Sequence, residues 1–366
     1  MPDFIPYIEK MLNIKIEDND KLKEVDEKFV SPSKVDKKFY QELEKVFEND
    51  KFTIENTERL IHSHGQETFK DIYKVLYKSI DRLVDLVFYP ESEEDVKKII
   101  EIALKFNVCL IPYGGGTNVT RALSVPENEK RTVVSIDTRR LSKIEWINRE
   151  DRRVCVEAGI TGKNLDELLK KEGFMIGHEP DSVELSTIGG WIATNASGMK
   201  KNKYGNIEDI VENVYLVTPK GEINQIKPIS RGSIGFKPQN MLFGSEGNLG
   251  IITKAILKIH ERPEAQEYNS VLFKTWSEGV TFLKKLSKTN YIPASVRLVD
   301  NIQFRFGQAL KPRAEGLKKI KSKIEKFLVT NIKGFDPDKM CALTIVMEGT
   351  KEEVSYQKKK INNLAK

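Results

Sequence analysis

A run of three glycines directly after an apolar segment is the first feature that could do chemistry. Residues 114–116 follow a predicted strand at 108–111 and precede Thr117 and Asn118. Glycine lets the backbone adopt a positive φ and approach a ligand with no Cβ in the way. Consecutive backbone N–H groups can then surround phosphate oxygens. The spacing is not Gly-x-Gly-x-x-Gly, which disfavours a nicotinamide-type loop, and a plain tight turn explains the run equally well.

Later segments also combine small residues with hydroxyl side chains, at positions where backbone could lie against a flat, polar group. These segments are residues 178–182, 186–191, 194–198 and 244–252. Each could be a turn between strands. Their occurrence in one domain favours an extended cofactor, because a dinucleotide offers a pyrophosphate to a glycine loop and a planar ring to close backbone. The residues therefore predict a dinucleotide site.

The elements that must position these loops alternate between strand and helix. Residues 83–88 and 108–111 read as strands, and Ser92 begins a helix between them with three acidic residues in its first turn. Further predicted elements are a helical lead-in through Leu60 to Ile80, an apolar stripe that includes Leu104, a strand at 132–136, hairpins at 143–157 and 213–226, a helix capped by Thr161 with Leu165, Leu168 and Leu169 on one face, and a strand at 250–260. Arg262-Pro263 marks a boundary. We predict a mixed α+β domain up to that point and a second domain after it.

Composition excludes several protein classes. The chain has 366 residues, 39% hydrophobic and 31% charged, which is too apolar for a disordered chain and too dilute for a polytopic membrane protein. The net charge of +6 is too small to imply nucleic acid. Cys109, Cys155 and Cys341 lie in apolar runs and indicate buried thiols in a reducing compartment. His62 and His64 have no further ligands nearby, so we assign no metal and expect surface or helix-packing histidines.

Several motifs resemble a known family. Four segments resemble the FAD-binding domain of the vanillyl-alcohol oxidase superfamily, namely Pro112-Tyr-Gly-Gly-Gly-Thr-Asn118, Ser186-Thr-Ile-Gly-Gly190, Tyr204-Gly205 and Gly244-Ser-Glu-Gly-Asn-Leu-Gly250. Three segments resemble the alkyldihydroxyacetonephosphate synthase family within that superfamily, namely residues 177–182, 196–209 and 293–301. With the helical lead-in placed at 1–80, the resemblance implies a PCMH-type FAD-binding domain at 81–262 and an apparently incomplete α+β substrate (cap) domain at 263–366.

The resemblance also implies the residues of a site. For binding FAD it assigns Pro112, Tyr113, Gly114, Gly115, Gly116, Thr117, Asn118, Asp181, Ser182, Val183, Glu184, Leu185, Ser186, Thr187, Thr194, Asn195, Ala196, Ser197, Glu246, Gly247, Asn248, Leu249, Gly250, Ile251 and Ile252. His178 and Thr187 would lie beside the flavin, unless His178 is a hydrogen-bonded structural histidine. Arg297 would support the active-site wall, or form a buried ion pair with Asp300 or another acid. The glycine loop contains no histidine that could attach the flavin covalently, so we expect non-covalent FAD.

The reaction implied by the resemblance replaces the acyl group of acyl-dihydroxyacetone phosphate with a long-chain fatty alcohol. It yields alkyl-dihydroxyacetone phosphate and a fatty acid without net oxidation or reduction. Two alternatives stay open, a FAD-dependent 2-hydroxyacid dehydrogenase of the same superfamily and a catalytically incomplete FAD-binding fragment. The second arises because the family's catalytic tyrosine, histidine motif and phosphate-binding arginine lie C-terminal to the matched part. No catalytic residue is therefore assigned, and we expect an interrupted cap domain.

The resemblance further implies lipid substrates, a homodimer and a peroxisomal location, with no nucleic-acid partner. No clear targeting signal supports that location, because Glu67 interrupts the nearest match and the chain ends in Leu-Ala-Lys. Residues 311–327 are strongly basic with apolar positions at helical spacing. They predict either a solvated helix face or peripheral contact with a membrane surface.

Overall fold

The computed structural model describes residues 3–20, 30–65, 69–77, 80–224, 233, 235–312 and 334–365. Two compact units are formed, one by Lys23–Arg262 and the other by Met1–Leu22 together with Pro263–Lys366. Both mix helix with strand, which confirms the α+β class. Residues 1–80, predicted as one lead-in, are distributed between the two units.

Both units contain helices as well as strands. The helices are α1 Phe4–Leu12, α2 Lys37–Val46, α3 Asn56–Ile61, α4 Phe69–Tyr77, α5 Glu93–Phe106, α6 Gly162–Lys171, α7 Ile188–Ala193, α8 Lys201–Tyr204, α9 Ile207–Ile210, α10 Trp276–Leu286, α11 Asn301–Ala309 and α12 Lys351–Leu364. The strands are β1 Phe52–Thr53, β2 Leu86–Phe88, β3 Cys109–Tyr113, β4 Val133–Asp137, β5 Ile144–Asn148, β6 Arg153–Glu157, β7 Phe174–Met175, β8 Val211–Thr218, β9 Gly221–Ile223, β10 Ile251–Lys258, β11 His260–Glu261, β12 Ala265–Phe273, β13 Ser295–Val299 and β14 Cys341–Gly349. No helix among these has the combination of length and apolar character that crossing a bilayer requires.

A partly parallel sheet carries the glycine loop at its edge. Its strand order is β1-β2-β4-β3, and β2, β4 and β3 run parallel. Helix α5 connects β2 to β3, and Ser92 caps it by accepting a hydrogen bond of 3.1 Å from the backbone N–H of Asp95. Because parallel strands end at one edge, the glycine loop after β3 and Thr138 after β4 lie side by side.

A second, antiparallel sheet supplies the floor for the hydroxyl-rich segments. Its order is β5-β6-β10-β8-β9. Both predicted hairpins form, β5 with β6 and β8 with β9. The core of this sheet includes Trp191, Ile188 and Ile192 of α7. Helix α7 is thereby fixed on the sheet, and the segments on either side of it are held with it.

Two predicted apolar positions are wrong. Leu104 of α5 is 58% exposed and Leu168 of α6 is 38% exposed, whereas their neighbours Ile100 and Leu165 are buried. A helix resting on a sheet buries only a stripe, and both leucines lie at the margin of that stripe. The lead-in between residues 60 and 80 forms helices, with α3 ending at Ile61 and α4 beginning at Phe69.

The second unit is built on an antiparallel sheet of order β12-β14-β13. Helices α10 and α12 cover it with Phe282, Val354 and Ile361 in the shared core. Thr350 caps helix α12 in a reciprocal arrangement with Glu353. Most of the basic stretch predicted at 311–327 lies outside the described residues.

Candidate cofactor site

One cavity of about 360 Å³ is lined by the glycine loop, by residues within 180–197 and by residues within 245–252. The predicted FAD residues that line it are Pro112, Tyr113, Gly114, Gly115, Gly116, Thr117, Asn118, Ser182, Ser186, Thr187, Thr194, Asn195, Ala196, Ser197, Glu246, Gly247, Gly250, Ile251 and Ile252. Predicted residues outside this lining are Asp181, Val183, Glu184, Leu185, Asn248 and Leu249. Each of these six adjoins a residue of the lining or of its loops. The sequence therefore predicted the correct loops, but not which residues of each loop line the cavity.

The glycine loop fits a site where backbone itself must form the wall. A Cβ on Gly114 would collide with Thr187 Oγ1, and one on Gly115 would collide with the carbonyl oxygen of Leu185. Gly116 has φ +65°, a conformation that side chains other than glycine adopt rarely. The loop therefore lies tightly against residues 185–187. Its backbone N–H groups can approach a ligand as closely as those of a phosphate-binding nest.

Helix α7 orders the second wall. Thr187 caps it by accepting a hydrogen bond of 3.2 Å from the Gly190 N–H. The indole N–H of Trp191 donates to Ser186 Oγ at 2.7 Å, and that hydroxyl in turn donates to the carbonyl oxygen of Ser182 at 2.8 Å. The hydroxyl groups of Ser186 and Thr187 are thus held by their own neighbours. The backbone between them lines the cavity in a fixed conformation.

The third wall is attached to the same helix. The Glu246 N–H donates to the carbonyl oxygen of Ala193 at 2.8 Å, and Glu246 itself has φ +49°. On the opposite side, Asn118 Oδ1 is buried in the cavity lining with no hydrogen-bond partner among the described residues. A buried acceptor of this kind is normally paired, and this one lies beside Gly65. The small backbone walls fit a dinucleotide.

His178 does not line the glycine-rich cavity. It lines a separate cavity of about 270 Å³, and Trp191 lines both. The ring of His178 is 4% exposed and lies 4.8 Å from the Trp191 ring, edge to face. Neither ring nitrogen has a hydrogen-bond partner among the described residues, so it is not a hydrogen-bonded structural histidine. Burial alone lowers the pKa of His178 to about 4, and the ring is neutral.

His62 lies under the cavity, although its sequence context suggested only helix packing or the surface. It is fully buried, and its ring centroid is 4.3 Å from that of Tyr113. Its Nε2 lies 2.9 Å from Asp137 Oδ2. The partners are 75 positions apart in sequence, so no local pattern could reveal the contact. The described residues contain no group of three or more potential ligands arranged to hold a metal ion.

Several lining residues escaped the sequence analysis. Thr138, which follows β4, has no motif of its own, yet its hydroxyl donates to the carbonyl oxygen of Tyr113 at 3.0 Å. The register of the parallel strands would have been the signal for Thr138.

In the second unit, Arg297 lies on β13 with an exposed side chain, so it does not form the buried ion pair that was the alternative for it. Asp300 instead caps α11 by accepting a hydrogen bond of 2.8 Å from the backbone N–H of Gln303.

Comparison with known proteins identifies two domain families. Residues 84–227 match the FAD binding domain family, and residues 262–366 match the C-terminal domain of FAD linked oxidases. An alkyldihydroxyacetonephosphate synthase of Caenorhabditis elegans is 42% identical over 100% of this chain and 61% of its own. A solved alkyldihydroxyacetonephosphate synthase structure superposes with TM-score 0.84 at 33% identity, covering 94% of this chain and 61% of that one.

A more distant relative is a mitochondrial D-lactate dehydrogenase [cytochrome] of Kluyveromyces lactis, 30% identical over 74% of this chain and 47% of its own. The chain thus spans about three fifths of the length of the synthases that it matches. The matched domains give FAD as the cofactor, and the glycine loop and residues 186–197 of the cavity lining lie within the part matched to the FAD binding domain.

Proposed function

We propose a function from one premise: this chain belongs to the family of FAD-binding proteins that contains the alkyldihydroxyacetonephosphate synthases. The protein takes part in ether-lipid synthesis. It exchanges the acyl group of acyl-dihydroxyacetone phosphate for a long-chain fatty alcohol and releases a fatty acid. Bound FAD supplies the reactive ring, with no net oxidation or reduction.

The observation that supports this function best is the contrast between relatives. Identity to the C. elegans synthase is 42% over the whole chain, against 30% over 74% of the chain for the D-lactate dehydrogenase. The glycine loops occur in both kinds of enzyme, so they do not distinguish them. Residues 196–209 and 293–301 are the segments that favour the synthase.

The chain's own residues would bind and orient the cofactor. The backbone N–H groups of residues 114–116 would donate to the pyrophosphate, because no Cβ keeps it at a distance. Backbone from Ser186 to Ser197 would lie along the remainder of the FAD. No cysteine or histidine is among the residues that line the cavity, which supports non-covalent binding. His178 and Arg297 keep their proposed supporting roles, with His178 acting through Trp191.

The surroundings of the reaction are proposals on the same premise. Lipid substrates imply peripheral contact with a membrane surface, and the family implies a homodimer in the peroxisome. Retention on anionic vesicles, compared between the parent and a triple Lys318, Lys319 and Lys321→Glu variant, tests the membrane contact. Equal retention of both proteins would argue against it.

The reaction is tested with purified, FAD-loaded protein given long-chain acyl-dihydroxyacetone phosphate and a labelled long-chain alcohol. A second protein replaces the aligned segment of the C. elegans synthase with this chain. We expect labelled alkyl-dihydroxyacetone phosphate from the replacement protein at least, and no bleaching of the flavin by D-lactate without oxygen. Bleaching by D-lactate with no alkyl product from either protein would instead assign a 2-hydroxyacid dehydrogenase.

The cofactor site is tested separately by Gly115→Ala. The new Cβ would collide with the Leu185 carbonyl carbon and oxygen, so we expect FAD retention to be lost. Gly307→Ala is the matched control, because a Cβ there meets nothing within 4 Å. The measurement is flavin absorbance after gel filtration. Full retention by Gly115→Ala would exclude the loop from the FAD site.

A further inference from the structure

We propose that His62 is a positioning residue for the FAD site, a buried imidazolium that holds Tyr113 in place beneath the glycine loop. The proposal rests on the assignment of FAD to this cavity. His62 is not among the residues that line the cavity. It acts through the Tyr113 ring and through Asp137, which it shares with Arg139.

The protonation of His62 follows from its two partners. Nδ1 lies 2.7 Å from the backbone carbonyl oxygen of Glu58, and such an oxygen can only accept. Nε2 lies 2.9 Å from Asp137 Oδ2. A neutral imidazole has one N–H, so it could satisfy only one of two acceptors. Both bonds form together only when both nitrogens carry protons.

A protonated Asp137 could donate to a neutral His62, but the surroundings of Asp137 keep its carboxylate ionised. Its carboxylate also accepts from Arg139, with Nε at 3.0 Å from each oxygen and Nη2 at 2.5 Å from Oδ2. Burial acts to raise the pKa of Asp137, but hydrogen bonds from His62 and Arg139 outweigh it and hold this pKa below its ordinary value. The carboxylate is ionised and joins two cations.

Those two cations contact the same aromatic ring. The imidazole lies 4.3 Å from the Tyr113 centroid, tilted by 48°, and the Arg139 guanidinium carbon lies 5.4 Å from it. Cations are attracted to the face of an aromatic ring, and more strongly where water is excluded. Tyr113 is 6% exposed and His62 is fully buried, so this condition is met for the imidazole, whereas the Arg139 side chain is 46% exposed. The ring is therefore fixed by charge as well as by packing.

Tyr113 transmits this order to the loop. Its hydroxyl occupies the space where a Cβ on Gly116 would project. Its carbonyl oxygen accepts from Thr138 Oγ1 at 3.0 Å, at the point where the loop leaves β3. The side chain and backbone of one residue thus support both ends of residues 114–116. A loop that is preorganised in this way loses less conformational entropy when a ligand binds.

The charge of the imidazolium is balanced locally. Glu58 Oε2 lies 3.7 Å from Nδ1 and accepts a hydrogen bond of 2.6 Å from the Tyr89 hydroxyl. Asp137 and Glu58 on one side and His62 and Arg139 on the other give two charges of each sign. A buried cation with two anionic neighbours avoids the desolvation penalty that an isolated one would incur.

The protonation state is tested by nitrogen NMR on protein labelled at histidine. The chain has four histidines, and His62→Gln identifies the signals of His62 by their loss. At neutral pH we expect protons on both ring nitrogens of His62, whereas His178 shows one protonated and one bare nitrogen. A bare nitrogen at His62 would overturn the proposal, whether or not the protein binds FAD.

The positioning role is tested by the FAD dissociation constant from calorimetry. We expect His62→Gln to raise it about tenfold, which corresponds to about 1.4 kcal/mol, and Arg139→Gln to raise it less. His64→Gln is the control because it lies two positions away. A purely structural His62 would lower the urea midpoint without changing the FAD affinity of folded protein, and that result would overturn the proposal. Failure of the parent to bind FAD would refute the cofactor site instead.

Discussion

Two buried histidines in one unit have opposite electrostatic surroundings. His62 is fully buried with an acceptor at each ring nitrogen, and His178 is 4% exposed with no partner at either. Burial alone disfavours the charged form, as the lowered pKa of His178 shows. Burial beside a carboxylate and a carbonyl oxygen favours it. The partners, not the depth, decide which ring is a cation.

The two regions also differ in what surrounds the ring. Around His62 the packing is dense and ionic, and it ends at the glycine loop. Around His178 there is a cavity of about 270 Å³, with Trp191 as the wall towards the FAD cavity. The first region suits a fixed support. The second region suits a neutral side chain, and replacing His178 there by an apolar residue should change stability little.

The largest expected effect comes from removing the charge that holds the His62 region together. Asp137→Asn removes the carboxylate that accepts from both His62 and Arg139, in a site where Asp137 is 1% exposed. Breaking a buried ion pair in this way costs about 3–5 kcal/mol, and urea unfolding measures it. Asp50→Asn, at an exposed position, is the control and should leave stability nearly unchanged. A similar small loss of stability in both variants would show that the charge of Asp137 does not stabilise the His62 region.

The second effect is an acid-induced loss of stability that belongs to His178. Its pKa is about 4 in the folded protein against 6.5 for the ordinary group. Between these values the unfolded chain binds more protons, so stability falls as pH decreases, by up to about 3 kcal/mol. Above pH 6.5 both states are neutral and the contribution is constant.

His178→Leu should abolish that part of the acid dependence and change stability little at neutral pH, because an unpaired polar group is replaced by an apolar one. The measurement is urea unfolding of both proteins across the acid range. Parallel curves would show that His178 is not held neutral by its surroundings.

A third effect tests how tightly the His178 ring is packed on its inner side. In Gly198→Ala, the added Cβ would lie 2.9 Å from His178 Nδ1. Overpacking of this kind costs about 1–3 kcal/mol. The cost should be smaller in a His178→Ala background, where the ring is absent, and Gly307→Ala serves as the uncrowded control. Full additivity of the two changes would indicate that Gly198 and His178 are not coupled.

The smallest effect concerns the outer part of the His62 region. Tyr89→Phe removes the hydrogen bond of 2.6 Å to Glu58 Oε2, and Glu58 keeps contact with water. We expect a loss of about 1 kcal/mol in urea unfolding. Both nitrogens of His62 should stay protonated in the NMR measurement, because the backbone carbonyl oxygen and Asp137 are unaffected. Loss of a ring proton would mean that the Glu58 side chain, not its backbone, maintains the cation.

Local pattern predicted those parts of the molecule that local interactions determine. The cap at Ser92, the cap at Thr161 and both hairpins follow from turn and capping chemistry within a few residues. The glycine loop was recognisable because only glycine tolerates the contacts made there. Strand β2 is shorter than the predicted strand at 83–88 and begins at Leu86. Asp85 before it binds Arg82, which sequence periodicity cannot anticipate.

Long-range contacts account for what the sequence did not reveal. His62 meets Asp137 across 75 positions, and the two are brought together by the sheet that contains β4. Trp191 separates His178 from the cleft, although both histidine and cleft residues belong to neighbouring motifs. Proximity in sequence suggested one site. The packing of a single indole divides it into two.

The position of Trp191 gives the protein a built-in optical reporter. The chain has three tryptophans, of which Trp146 and Trp276 are 40% and 49% exposed and Trp191 is 2% exposed. A water-soluble quencher will suppress the emission of the first two and spare the third. The remaining fluorescence then comes from an indole whose one side borders the FAD cavity and whose other side borders the His178 ring. Energy transfer to bound flavin and protonation of the histidine can both be followed from that one emitter, with no label attached.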